Sequence, residues 1–317
     1  MISASAQKTI RELSVHYRKK RAYFLLDILR CKICFGLNSE EYRRFSLQGR
    51  STLMRRAYVS SAKRFAYVKR YNQTDDIRIL QDKALFNASY QAFVRRPWLD
   101  CRKSDSQQII AFLQKNPVCI QKPADLYKGM GISQIDRNAI QNLEAFAAPL
   151  VGTPVLLEAW IKQHPQLAQP NPSSVNTVRI LALRDRMGEV HLPCAVLRVG
   201  LPGKVVDNFA AGGIVYPLEI DTGIITGPGV DHSQNSYVTH PGTSTVMPGM
   251  IVPEWKELRS FIASAMDVLP KVRYVGWDVA VTADGFEIIE GNHDATVELF
   301  QICEGQTGVD PFLHAWV

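Results

Sequence analysis

Hydrophobic positions in the first third of the chain recur at steps of three and four residues, which is the spacing of an amphipathic helix. This spacing predicts a helix over residues 6–35, where Arg and Lys stand between the apolar residues. It predicts one or two further helices over residues 39–72, beginning near Asn38 with acidic residues in the first turn. Another helix is predicted over residues 76–94, and the Arg96-Pro97 pair breaks it.

Beyond Pro97 the pattern changes to short apolar runs separated by polar turns, which is typical of strands. Residues 227–250 are rich in Gly, Pro, Ser and Thr and predict a long loop, a kind of loop that is often functional. A helical front, a mixed middle and a β-rich back predict an α+β protein with two lobes. The predicted helices are 105–115, 138–147 and 253–268, and the predicted strands are 117–123, 155–160, 175–184, 190–199, 213–220, 223–226, 274–282 and 286–290.

Composition excludes several classes of protein. Of the 317 residues, 46% are hydrophobic and 21% are charged, which excludes collagen-like, low-complexity and wholly disordered chains. No apolar run reaches the roughly 18–20 residues of a membrane span, and the first residues lack a signal-peptide pattern. The six cysteines are sparse, which predicts reduced thiols in a cytoplasmic protein. Cys31 and Cys34 form a lone CxxC, and without a second ligand pair zinc is a weak prediction.

Charge is distributed unevenly along the chain. Residues 1–71 contain 17 Lys and Arg against 4 Asp and Glu, whereas the remainder contains 20 against 26. A strongly basic front end is therefore joined to a mildly acidic body.

The strongest candidate chemistry lies in residues 276–292, GWDVAVTADGFEIIEGN. This segment predicts a hairpin that turns at Asp284-Gly285. Asp278 lies on its first strand, and Glu290 and Asn292 share one face at the end of its second strand. Two carboxylates and an amide oxygen suit a hard cation such as Mg²⁺. The alternative is a pair of solvated surface acids.

Two weaker patterns lie upstream. Lys122 ends an apolar strand and is followed by a glycine-bearing turn at 128–131, an arrangement that can place an ammonium and backbone N–H groups on phosphates. It is neither a GxxxxGK nor a GxGxxG motif, and alone it also fits an ordinary strand and turn. The strand Leu156–Ile161 ends at a potential hinge whose backbone could contact an adenine edge, although a core strand with one exposed Glu158 fits equally.

In this order the three segments resemble the ATP-grasp superfamily, and Gln81-Asp82-Lys83 resembles its early lysine segment. Residues 174–179 (SVNTVR), 206–214 (VDNFAAGGI) and His240-Pro241 are similar to the sugar-transfer-associated branch, which is related to α-L-glutamate ligases. The resemblance covers roughly residues 20–305.

The resemblance implies an ATP-grasp fold, in which two α+β lobes clasp ATP. It implies a basic helical region at 1–78, an N-terminal lobe at 79–162 and a C-terminal lobe at 163–317. The implied site residues are Lys83 and Lys122 with Gly129 and Gly131 on the phosphates, Glu158, Trp160 and Ile161 at the adenine, Asp278, Glu290 and Asn292 on Mg²⁺ or Mn²⁺, Arg179 on the γ-phosphate or acyl phosphate, and Asn208 and Gly213 near the reacting group.

The implied function is an ATP- and Mg²⁺-dependent carboxylate–amine ligase acting through an acyl phosphate. It would join an amino acid or similar carboxylate to an amine on a sugar-related or small-molecule acceptor. A kinase on the same fold is one alternative.

A non-catalytic binding protein is another alternative. The basic front end lacks zinc-finger spacing and an aromatic RNA-binding motif, which disfavours nucleic acid. Peripheral contact of residues 8–35 with the inner membrane surface stays open, because Tyr23–Leu26 stand beside Arg and Lys.

Overall fold

The computed structural model describes residues 3–124, 131–303 and 306–315 as helices and strands arranged around two β-sheets. The helices are α1 (Ala4–His16), α2 (Arg21–Phe35), α3 (Ser39–Arg44), α4 (Thr52–Arg56), α5 (Ser61–Tyr71), α6 (Ile77–Gln81), α7 (Lys83–Ser89), α8 (Ser106–Lys115), α9 (Leu143–Ala147), α10 (Pro165–Ala168), α11 (Trp255–Ala265) and α12 (Asp310–Ala315). The strands are β1 (Trp98–Asp100), β2 (Val118–Pro123), β3 (Ser133–Asp136), β4 (Val155–Ala159), β5 (Thr177–Arg184), β6 (Val190–Val199), β7 (Ile214–Leu218), β8 (Gly229–Val230), β9 (Ser236–Tyr237), β10 (Tyr274–Thr282) and β11 (Gly285–Asn292).

The smaller sheet has four antiparallel strands in the order β1-β4-β2-β3. Helix α8 covers one of its faces, because Ile109 and Leu113 share a buried cluster with Cys119 and Leu157. Asp105 starts this helix with a capping box, in which its side chain accepts from the Gln108 backbone and the Gln108 side chain accepts from the Asp105 backbone.

The larger sheet has seven antiparallel strands in the order β11-β10-β5-β6-β7-β8-β9. Both faces of the larger sheet are covered, as strand β5 shows. Val178 and Ile180 belong to the core beneath α11, whereas Leu181 and Leu183 belong to a second core on the opposite face. Trp277 packs in the first core and is fully buried. A run of apolar residues on both faces is what a doubly covered strand requires.

Only part of that opposite face is apolar. Tyr67 and Tyr71 of α5, together with Val309 and Leu313 near the end of the chain, cover Leu181, Leu183 and Tyr274. The other end of the same face carries charged side chains. The buried Tyr67 hydroxyl donates to Asp310 at 2.9 Å, which ties α5 to the last helix.

The N-terminal helices form a separate core, with Leu13, Phe24, Ile28, Phe35 and Tyr42 among its buried members. This core is attached to the large sheet through polar contacts as well as through α5. The side chain of Gln301 bonds both the N–H and the carbonyl of Val59, at 2.9 and 3.1 Å, and Arg44 pairs with Glu298.

Several predicted helices are shorter than their apolar spacing indicates. The helix predicted over 6–35 is two helices, because Arg18 lies in the left-handed region at φ 52°. The segment 39–72 holds three helices, with left-handed breaks at Ser46 and Gly49. The helix predicted over 76–94 is interrupted at Asp82, where the backbone is extended and the side chain caps α7 by accepting from the Ala84 and Leu85 N–H groups. Apolar spacing alone does not register such breaks.

Two other predictions about elements need correction. Residues 138–147 form a 3₁₀ turn at Arg137–Ala139 followed by α9, instead of one helix. Residues 223–226 form no strand of their own and make only isolated bridges through Ile224 and Ile225. The predicted loop at 227–250 includes β8 and β9 and is held to α3, where Gln234 accepts from Arg43 at 2.8 Å. No helix in the described part of the chain is long and apolar enough to span a membrane.

Candidate active site

The charged end of the large sheet is assembled by strand register. Asp278 on β10 lies opposite Arg179 on β5 and opposite Glu290 on β11. Gly276, two residues before Asp278, lies opposite Asn292. Because alternate residues of a strand share one face, this register collects Arg179, Asp278, Glu290 and Asn292 on the same side of the sheet.

Asp278 is buried, and two arginines neutralise it. Arg179 donates through Nε to Oδ1 and through Nη2 to Oδ2, the latter at 2.7 Å. Arg198 donates to the same Oδ2 at 2.9 Å. Burial alone would raise the pKa of Asp278, but the two guanidinium groups lower it to about 2. Asp278 is therefore an anion with both oxygens already engaged.

The charges continue across β6 with alternating sign. Arg198 also pairs with Asp207, Nη2 to Oδ1 at 2.5 Å. Asp207 in turn accepts from the Thr177 backbone N–H at 3.1 Å and from the Thr177 hydroxyl. Thr177 and Arg198 are cross-strand neighbours. The row Arg179–Asp278–Arg198–Asp207 thus fixes each of its buried ions by at least two contacts.

Glu290 is the open member of the site, with 44% of its side chain exposed. Its Oε1 accepts from the Asn292 amide at 3.1 Å, and the same amide nitrogen also reaches the Gly276 carbonyl at 3.4 Å. The amide oxygen of Asn292 is therefore the atom left to face a ligand. Partial burial of the Glu290 carboxyl group, and then the neighbouring Asp278 carboxylate, raise the pKa of Glu290.

These donors fit a divalent cation. Glu290 and Asp278 are cross-strand neighbours, and Arg179 bonds Asp278 and lies 3.9 Å from Glu290. Glu290, the Asn292 oxygen and Asp278 are oxygen donors of the kind that Mg²⁺ takes. Glu290 and Asn292 are the accessible pair, whereas Asp278 would share its oxygens with the arginines.

A second charged cluster lies at the small sheet. Glu158 is 3% exposed, and its Oε2 is 2.7 Å from the ammonium of Lys122 and 2.8 Å from Nε of Arg96. The Asn87 amide donates to its other oxygen at 3.0 Å. The cationic neighbours Arg96 and Lys122 lower the pKa of Glu158 despite its burial. The side chain of Glu158 is thus a buried ion-pair partner of Lys122.

Arg96 connects the two clusters. Besides Glu158 it pairs with Glu287 of β11 at 2.9 Å, and its guanidinium donates to the carbonyls of Ile288 at 2.8 Å and Ile289 at 3.3 Å. Ile289 precedes Glu290. One fully buried side chain therefore bonds Glu158 of the small sheet and the backbone next to Glu290 on the large sheet.

Lys83, the first residue of α7, contacts the end of β2. Its ammonium donates to the Pro123 carbonyl at 2.9 Å. The Gln81 amide nitrogen is 3.1 Å from the ring of His293, which follows Asn292. The structure thus bonds Lys83 to the residue that follows Lys122 on β2. Gly129 lies outside the described residues, and Gly131 just after it is left-handed at φ 70°.

Trp160 and Ile161 lie where the chain passes from the small sheet to the large one. Trp160 is half-buried, and its N–H donates to the Val118 carbonyl at 3.1 Å, whereas Ile161 is buried. Gln163 forms a bridge to Thr282 on β10. Trp160 and Ile161 therefore lie in the connection between the two sheets.

The turn that holds Asn208 and Gly213 is closed on itself. The Gly213 N–H donates to the Asn208 carbonyl at 3.0 Å, so it is directed into the turn instead of toward a reacting group. A Cβ on Gly213 would lie 2.3 Å from the Asp207 carbonyl oxygen, which only glycine avoids. The close packing of Gly213 holds Asp207 in place beside Arg198.

Comparison with known protein families agrees with this geometry. A family model described as sugar-transfer associated ATP-grasp matches residues 62–314. The chain belongs to the sugar-transfer associated ATP-grasp family. This match confirms the predicted resemblance to the sugar-transfer-associated branch and the predicted α+β ATP-grasp fold. The matched region begins inside α5, the helix that packs on the large sheet. None of the curated proteins matches the sequence.

Several solved structures are similar to the chain at low sequence identity. The ATP-grasp ligase PsnB with a minimal precursor has a TM-score of 0.50 and 15% identity over 78% of this chain and 63% of that chain. The ADP complex of purK, N5-carboxyaminoimidazole ribonucleotide synthetase, has a TM-score of 0.48 and 11% identity over 74% of this chain and 50% of that chain. D-alanyl-alanine synthetase A from Vibrio cholerae has a TM-score of 0.42 and 12% identity over 75% of this chain and 60% of that chain. The chain spans less than two thirds of each.

The motifs do not point to three charged residues of this candidate site. Arg96 precedes a proline, which predicts the end of a helix, although its side chain is fully buried. Arg198 follows a run of apolar residues in β6, and Glu287 lies between apolar residues of β11. A lone charge at an inward position of a buried strand is the signal that points to such residues, because unpaired buried charges are not tolerated.

Proposed function

We propose that the chain is an ATP- and Mg²⁺-dependent ligase that joins a carboxylate to an amine through an acyl phosphate. The observation that supports this most is that Arg96 bonds both Glu158, the ion-pair partner of Lys122, and the β11 backbone next to Glu290. Lys122 offers a cation for phosphates, and Glu290 with Asn292 offers oxygen donors for a divalent cation. The family match supports ATP as the substrate.

Lys83 and Lys122 would hold the α- and β-phosphates from the small sheet. Lys122 is already desolvated and fixed by Glu158, so it meets a phosphate without a large loss of side-chain entropy. Arg179 would contact the γ-phosphate or the acyl phosphate with the donor that its pair with Asp278 leaves free. Phosphoryl transfer depends mainly on this kind of positioning and charge neutralisation.

Glu290, Asn292 and Asp278 would hold Mg²⁺, with Mn²⁺ as an alternative oxygen-seeking ion. When bound, the ion would offset the negative charge of the phosphates. Arg179 and Arg198 keep Asp278 ionised and in a fixed rotamer, and the Asn292 amide orients Glu290. The residues of this face are therefore positioned before any ligand arrives.

The proposed reaction has two balanced steps. A carboxylate oxygen of the first substrate attacks the γ-phosphorus while the bond to the β–γ bridging oxygen breaks, which releases ADP. The amine nitrogen of the second substrate then attacks the acyl carbon, phosphate leaves, and the proton lost by the amine passes to solvent. The family's association with sugar transfer supports a sugar-related acceptor, and an amino acid is the carboxylate that fits the proposal best.

An ADP-release assay tests this proposal. Purified protein would be screened with amino acids against nucleotide-sugars bearing an amine, and products would be identified by mass spectrometry. A ligase releases ADP and free phosphate only when both substrates are present. A product that carries the phosphate with one acceptor alone would identify a kinase and contradict the proposal.

A further inference from the structure

Helix α2 is apolar on two opposite faces. Its inward side chains are buried in the N-terminal core, with Phe24 and Ile28 among them. At about 100° per residue, Leu26, Leu29 and Ile33 lie on the opposite side, and they are 68%, 42% and 81% exposed. The apolar face of a helix is normally covered by another element or by a partner. The outer apolar face of α2 therefore indicates a binding surface.

A neighbouring short helix extends the exposed apolar surface. Arg30 of α2 donates to the Thr52 hydroxyl of α4 at 3.2 Å, which places the two helices side by side. Leu53 of α4 is 80% exposed, and Met54 beside it is also exposed. The outer patch consists of Tyr23, Leu26, Leu29, Ile33, Leu53 and Met54. Contiguous exposed apolar side chains of this kind mark interaction sites.

Basic side chains surround the outer patch. By helical position, Arg21 and Lys32 lie on one flank of the α2 stripe and Arg30 on the other. Lys19 and Lys20 precede the helix and are exposed. The one acid of α2, Asp27, accepts hydrogen bonds from both terminal guanidinium nitrogens of Arg55 and from the Tyr42 hydroxyl, which lie on the inner side of the helix. The side chains that surround the apolar outer patch therefore carry a net positive charge.

We propose that the outer patch docks the protein on a lipid bilayer that contains anionic lipids. Leu26, Leu29 and Ile33 would lie at the boundary between headgroups and acyl chains, and the flanking Arg and Lys would lie at the level of the phosphates. This arrangement uses both features of the helix, whose long basic side chains can keep their charges in water while their stems cover apolar surface.

The charge pattern favours a bilayer over other partners. In a two-fold contact with a second copy, the same basic rims would face one another and repel. A nucleic acid would satisfy the rim but would leave aliphatic Leu26 and Ile33 without a counterpart, since bases stack on aromatic rings. An anionic membrane surface complements both the charge and the apolar stripe.

Vesicle co-sedimentation of the full chain tests this inference. The vesicles would contain phosphatidylcholine alone or phosphatidylcholine with phosphatidylglycerol. We expect binding to the anionic vesicles at about 0.1 M salt, where charges act over about 10 Å, and its loss at about 1 M salt, where they act over about 3 Å. The Leu26→Gln/Ile33→Gln double variant should bind about tenfold more weakly.

A matched control separates the patch from general surface polarity. Met187→Gln replaces a side chain that is 92% exposed on the turn between β5 and β6, and it should bind like the wild-type protein. Absence of sedimentation with anionic vesicles at low salt would overturn the inference. So would unchanged binding of the double variant, or light scattering that shows a dimer which the double variant loses. ADP release is measured separately and should be unchanged, because the double variant changes no residue of the candidate active site.

Discussion

Arg179 and Asp278 face one another on neighbouring strands, and the guanidinium of Arg179 bonds both oxygens of the Asp278 carboxylate. Arg198 adds a third bond to the same carboxylate. Asp278 therefore does more than offer an oxygen to a cation, because it is also the counter-ion of two buried arginines. A change at this position affects the fold and the site together.

Asp278→Asn is expected to destabilise the protein by about 3–5 kcal/mol, the scale for breaking a buried ion pair from one side. The loss follows because Arg179 and Arg198 would stay buried with reduced compensation. Urea unfolding followed by circular dichroism measures it. An unchanged unfolding midpoint would contradict this expectation and would show that the two arginines find other partners.

Lys122→Ala is expected to weaken ATP binding by about 10- to 100-fold, the equivalent of about 1.5–3 kcal/mol for a charge-assisted hydrogen bond. Titration calorimetry with ATP and Mg²⁺ gives the dissociation constant. Lys115→Ala is the matched control, because Lys115 is an exposed lysine of the same lobe at the end of α8. Equal dissociation constants for the two variants would remove Lys122 from the phosphate site.

Arg96→Met is expected to cost about 3–5 kcal/mol of stability, since it leaves Glu158 and Glu287 buried without their shared cation. Arg95→Met changes the exposed neighbour and should shift stability by no more than about 0.5 kcal/mol. Urea unfolding compares the two. If Arg96→Met behaved like Arg95→Met, the connection between the sheets would not depend on this side chain.

The ion pairing of Glu158 is expected to make the free energy of unfolding depend on pH. Its folded-state pKa lies below the value of about 4.3 that an unfolded glutamate has. Its contribution is therefore fully present above about pH 4.3 and is lost as pH falls toward the folded-state value. The difference in unfolding free energy between wild type and Glu158→Gln should be larger at about pH 7 than at about pH 3. A difference that stays constant with pH would contradict the ion pairing.

The hairpin that carries Asp278 and Glu290 could be predicted from local signals alone. Alternating apolar residues, an Asp284-Gly285 turn and polar residues at the strand end all agree there. Likewise, Lys122 at the end of β2 follows from a short apolar run closed by proline. These features depend on residues that are neighbours in the sequence.

The role of Glu158 illustrates what local signals miss. Its strand was predicted correctly, but its ionic partners Arg96 and Lys122 lie 62 and 36 positions away in the chain. Only the pairing of β4 with β2 brings Lys122 near it. The breaks at Arg18 and Asp82 were missed for a related reason, because tertiary packing overrides helix propensity.

The most direct test of a Mg²⁺-dependent ATP site on the large sheet is ADP release by Glu290→Gln against Glu257→Gln. Glu257 is an exposed residue of α11, on the opposite side of the sheet. We expect Glu290→Gln to lower Mg²⁺-dependent turnover by about 10²- to 10³-fold, with an unchanged circular dichroism spectrum, and Glu257→Gln to match the wild-type rate. Undiminished turnover by folded Glu290→Gln would contradict the site.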